Sequence, residues 1–61
     1  MEFKEKLVYV RAKLNLSQTD LAKRLNKSFA TISRWENGKN KPTKKDLVSF
    51  DIFCNENDIE F

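Results

Sequence analysis

Between Ser17 and Pro42 the chain reads SQTDLAKRLNKSFATISRWENGKNKP, and this stretch limits the folds open to it. It holds two short amphipathic helical patterns separated by about four residues, followed by a basic loop that carries the chain's one glycine. Two helices so close in sequence stay in contact, and a steep crossing at a short turn lets them share one core.

The same periodicity extends outward on both sides. Phe3, Leu7, Val10 and Leu14 fall on one stripe and predict a first helix from about Glu2 to Lys13, with Asn15 as a left-handed stop. Ser17 and Asp20 form a capping box for the second helix, whose buried face is Leu21, Ala22 and Leu25; Asn26 turns the chain. Ser28 caps the third helix, Ile32 and Trp35 face inward, and Gly38 ends it. Ala30, Arg34 and Asn37 lie on a different face that apolar packing does not claim. Thr43 and Asp46 open a fourth helix with Leu47, Phe50, Phe53 and Cys54 inside. The pattern weakens after Asn55, leaving Ile59 and Phe61 as isolated apolar residues with room for one or two helical turns. They are expected to fold back on the core, with a dimer contact as the alternative.

A 61-residue chain is expected to form one domain, residues 1–61. A domain of that size buries only about 60% of the surface its unfolded chain exposes. It has no room for a cleft between lobes, so function belongs on a surface, with no small-molecule ligand. The chain has no His and one Cys, which rules out an internal disulfide and leaves no zinc ligand set. Neither catalysis, a cofactor nor a metal is expected. Cys54 is read as a buried apolar residue rather than a reactive thiol. No apolar run is long enough to span a membrane, and the N-terminus shows no signal-peptide core, which suits the cytoplasm.

Charge is strongly segregated along the chain. Lys27, Arg34, Lys39, Lys41, Lys44 and Lys45 face Glu36 alone in residues 27–45, whereas residues 46–61 hold five acids and no base. A basic block beside an acidic one points to an anionic partner for the middle segment.

With these residues in place, the pattern resembles the helix-turn-helix domain of the lambdoid phage repressor and Cro group, the XRE family. The matching positions are Arg11, Ser17-Gln18, Leu21-Ala22, Leu25, Ser28, Ile32-Ser33, Trp35-Glu36, Gly38, Pro42 and Leu47, from about residue 3 to residue 54. The resemblance implies an all-α, lambda repressor-like bundle of four helices with a possible short fifth, its helix-turn-helix core at about 17–38. Asn15 and Asn26 stand where the family usually has Gly, and little chain remains for its usual fifth helix.

The resemblance also implies a function: sequence-specific binding of double-stranded DNA through the major groove, by a transcriptional regulator. The alternative is a DNA-targeting module of a larger modification, restriction or antitoxin-type protein. Phe29, Ala30, Thr31, Ser33 and Arg34 would face the bases, with Arg34 suited to guanine and Phe29 and Ala30 to thymine methyl groups. Gln18, Lys27, Ser28, Asn37, Lys39 and Lys41 would contact phosphates, and Gln18 would also brace the recognition helix. Arg11 and Glu36 would form a structural ion pair joining the first helix to the third. A homodimer on a two-fold operator and a monomer are both open to it, in a bacterial or phage-derived protein of the cytoplasm, associated with the nucleoid.

Overall fold

The computed structural model describes residues 1–61 as four helices with no strand. They are α1 (Phe3–Leu14), α2 (Gln18–Arg24), α3 (Phe29–Glu36) and α4 (Lys44–Glu56). The all-α helix-turn-helix architecture expected from the sequence is the one formed. Four residues separate α2 from α3, and both pack directly on each other, while α1 packs on α3.

Side chains set where three of the helices begin. Ser17, Ser28 and Thr43 accept hydrogen bonds from the backbone N–H of Asp20, Thr31 and Asp46 at 3.0, 3.1 and 3.2 Å. Asp20 and Asp46 accept return bonds from the N–H of Ser17 and Thr43, closing two capping boxes. Glu2, the first residue of the predicted helix, is extended and caps α1, which runs one residue later at both ends; its N–H donates to Glu5 Oε1 at 2.8 Å.

All four helices stop in the same way. Asn15, Asn26, Gly38 and Asp58 take left-handed φ values of 55°, 57°, 72° and 56°. The next residue in each case donates its N–H back five positions: Leu16 to Arg11, Lys27 to Ala22, Lys39 to Arg34 and Ile59 to Cys54, at 2.8–2.9 Å. This is the Schellman closure, which satisfies carbonyls that a helix end otherwise leaves bare. Asp58 was not anticipated from the sequence.

The core gathers Leu7 and Val10 of α1, Leu21 and Ala22 of α2, Ile32 and Trp35 of α3, and Phe50, Phe53 and Cys54 of α4. Leu47 departs from expectation: it is 40% exposed, because the buried stripe of α4 centres on Phe50, Phe53 and Cys54, and Leu47 lies at its margin. No fifth helix forms. The turn at Asp58 sends Ile59 back into the core instead, and the Phe61 ring returns to α1, edge-on to Tyr9 at 5.5 Å with the Lys6 ammonium 5.0 Å from its centre. No helix is long and apolar enough to cross a membrane.

A candidate nucleic-acid interface on α3

Ile32 and Trp35 anchor α3, and helical geometry then decides what the rest of it presents. Ala30, Ser33, Arg34 and Asn37 point away from that anchor, with Phe29 and Thr31 on the flanks. Phe29 is 54% exposed, so it does not join Ile32 and Trp35 in one apolar edge. Ala30 and Arg34 are exposed, while Thr31 and Ser33 are half-buried. Arg34 has no acidic partner. The Ser28 hydroxyl, besides capping α3, lies 3.0 Å from that of Thr31, and Asn37 Nδ2 reaches Ser33 Oγ at 3.5 Å.

A polar clamp holds this helix from behind. Arg11 of α1 donates to Glu36 through Nε at 2.8 Å and Nη2 at 2.9 Å, a two-pronged pair. Gln18 of α2 adds a third donor, its Nε2 lying 2.9 Å from Glu36 Oε1. The Glu36 side chain is only 8% exposed and that of Arg11 25%. One carboxylate at the end of α3 therefore ties it to both other helices of the motif. The resemblance gives Gln18 a phosphate contact together with a brace on the third helix; in the structure its amide is turned inward onto Glu36. The N-terminal amides of Gln18 and Thr19 are left without a protein acceptor.

Burying Glu36 also changes the local electrostatics. It is the one acid among residues 27–45, and Arg11 neutralises it away from solvent. Arg34, Lys39, Lys41, Lys44 and Lys45 are exposed and unpaired. The surface that follows α3 is thus positive without interruption, more so than the sequence total suggests.

Lys27 behaves differently from the other lysines. The sequence grouped it with the phosphate contacts, yet its ammonium lies 2.7 Å from Asp46 Oδ1. Nothing in the spacing of residues 27 and 46 signals that partnership. The hydrogen bond from Lys27 is the main cause holding the Asp46 carboxyl below the usual range, with the Thr43 N–H and hydroxyl adding to it. Asp20 is held low by the Ser17 backbone N–H. A depressed carboxyl pKa gives stability that is complete above the unfolded value, about 3.9, and lost as pH falls through the folded value. Thermal midpoints measured between pH 6 and 2 should therefore drop below about pH 4, and less for Asp46→Asn than for the native chain. Parallel curves would show that Asp46 contributes nothing.

Cys54 is buried, and burial pushes its thiol pKa up, aided by Asp51, so it stays protonated and a poor nucleophile. No group of three or more His, Cys, Asp or Glu side chains is placed to hold a metal ion.

Four short helices, with the second and third joined by a four-residue turn and the third locked from behind, define a helix-turn-helix domain. The helix-turn-helix family model matches residues 7–57, and the chain belongs to this XRE-type family. It is 47% identical over 53 residues to the HTH-type transcriptional activator BcrR of Enterococcus faecalis, a match covering 87% of this chain and 26% of that protein. The chain thus spans about a quarter of the length of the curated relative it matches. No solved structure gives a significant match.

Proposed function

We propose that this chain binds double-stranded DNA sequence-specifically, with α3 in the major groove, as the DNA-reading domain of a transcriptional regulator. The observation that carries the reading is the outer face of α3. Arg34 and Ala30 stand there unclaimed by the protein, and the unpaired Lys39 and Lys41 follow directly. A recognition helix needs such a face, since its N-terminal half must reach base edges while neighbouring cations meet the backbone. The name of the Enterococcus faecalis relative, a transcriptional activator, favours a regulator over a targeting module of a modifying enzyme. The role is binding rather than catalysis, in the cytoplasm.

Within this reading Arg34 donates to guanine O6 and N7, and Phe29 and Ala30 pack on thymine methyl groups. Thr31 and Ser33 lie within the same approach. Asn37, Lys39, Lys41 and Ser28 hold phosphates around α3, and the free amides at the start of α2, next to Gln18, offer another phosphate site. Two copies on a two-fold operator would set their α3 helices about 34 Å apart, one turn of DNA.

Binding to random and selected duplexes across a salt series tests the proposal. Log affinity should fall linearly with log salt, with a slope of about −0.9 for each phosphate neutralised. Arg34→Ala should cost about 1–3 kcal/mol on the preferred site and little elsewhere, whereas Lys39→Ala should weaken all sequences alike. A flat salt response, or no binding at low salt, would overturn the reading.

A further inference from the structure

We propose that Lys27 is a positioning residue for DNA recognition: paired with Asp46, it fixes the start of α3 to the start of α4 and does not neutralise a phosphate. The inference rests on the DNA-binding reading above and assigns Lys27 a different part in it.

Lys27 is held at three points. Its backbone N–H closes α2 on Ala22 O at 2.8 Å. Its ammonium reaches Asp46 at 2.7 Å, across the bundle on α4. Its peptide bond leads directly to Ser28, which caps α3 through Thr31 N–H. The residue thus lies where three helices meet, immediately before Phe29 and Ala30, the first side chains of the outer α3 surface.

Asp46 is a partner prepared in advance. Its Oδ2 already accepts from Thr43 N–H at 3.2 Å, and its own N–H donates to Thr43 Oγ1, so the capping box immobilises the carboxylate before Lys27 arrives. Only the lysine must then be ordered, which removes part of the entropy cost that weakens most surface pairs. The Asp46 side chain is 13% exposed and that of Lys27 35%. A phosphate that drew Lys27 away would leave a largely covered carboxylate without its counter-charge, an unfavourable exchange. Lys39 and Lys41 carry no such obligation, and phosphate contact falls to them.

The test compares Lys27→Met, Asp46→Asn and the double variant with the native protein. Asn keeps an acceptor for Thr43 N–H, so Asp46→Asn removes the pair and spares the cap. The double variant has the same net charge as the native chain, which removes long-range electrostatics from the comparison. If Lys27 positions α3, the double variant binds its site about fivefold more weakly, no worse than Lys27→Met alone, as coupled neighbours do. The salt slope stays unchanged. In the free protein, amide hydrogen exchange at Thr31 and Ile32 quickens in both single variants.

Three results would overturn the inference: a Lys27→Met salt slope shallower by about 0.9, tighter binding by Asp46→Asn, or native-like exchange and affinity in the double variant. Native protein that binds no duplex at low salt sinks the DNA reading itself. The exchange measurement needs no DNA and still tests the tie between α3 and α4.

Discussion

Replacing Glu36 by alanine should destabilise the domain by about 2–4 kcal/mol, because it strands a guanidinium that folding has already taken largely out of water. Arg11 would keep only a marginal contact, Nη1 to Leu16 O at 3.5 Å, and Gln18 would lose its acceptor as well. For a domain this small each kcal/mol lowers the melting temperature by about 4–8 °C, so the midpoint should fall by about 8–32 °C. Thermal unfolding followed by circular dichroism checks this. Replacing both charges together, Arg11→Met with Glu36→Leu, should recover much of the loss, since neither partner is then left buried alone. A cost below about 1 kcal/mol for Glu36→Ala would mean that water, not Arg11, satisfies the carboxylate. The clamp also sets the direction of α3, so the folded fraction of Glu36→Ala should bind DNA more weakly although Glu36 faces away from the proposed interface.

The largest effect is expected for Trp35→Ala, at about 3–5 kcal/mol. Trp35 is buried, and Phe3 meets it edge-on with ring centres 5.3 Å apart; Phe3 in turn meets Phe50 at 5.2 Å. Removing the indole therefore takes away the α3 end of an aromatic chain, Trp35–Phe3–Phe50, that links α1, α3 and α4, and leaves a cavity beside Phe3. A 61-residue domain has a total stability of about 3–9 kcal/mol at ordinary values per residue. The loss is therefore a third or more of the total stability, and urea titration of both proteins measures the difference. Trp35→Phe keeps an aromatic edge for Phe3 and should lose less than half as much. Equal losses for both substitutions would mean that the indole packs as specific shape rather than as apolar volume.

The fold was legible in this chain because its signals are local. Ser17, Ser28 and Thr43 each sit three residues before the group they cap; Asn15 and Asn26 directly follow Leu14 and Leu25, and Gly38 comes one turn after Trp35. Such rules act within one turn and survive without knowledge of the tertiary structure. Leu47 was misplaced because a single helical stripe does not show how wide its buried arc will be. Asp58 went unnoticed because Asp seldom takes the left-handed role, so a turn there reads as fraying. At the site, the outward set on α3 followed from periodicity, and the meeting of Arg11 with Glu36 from family resemblance. A brace from Gln18 followed from that resemblance too, but its acceptor on Glu36 and the tie between Lys27 and Asp46 depend on how helices distant in sequence are laid together. No spacing rule encodes that.

The repeated left-handed stops have a consequence for how such a domain can change. A side-chain cap at one end of α3 and Gly38 beyond the other count out its length, so the number of residues between them is as constrained as their identity. One residue inserted into α3 would rotate everything after it by about 100°. If Trp35 kept its place, Ala30 would swing out of line with Arg34; if Ala30 kept its place, Trp35 would leave the core. New sequence preference is therefore reached by exchanging side chains at fixed positions, as letters change in a line of type whose length is already set.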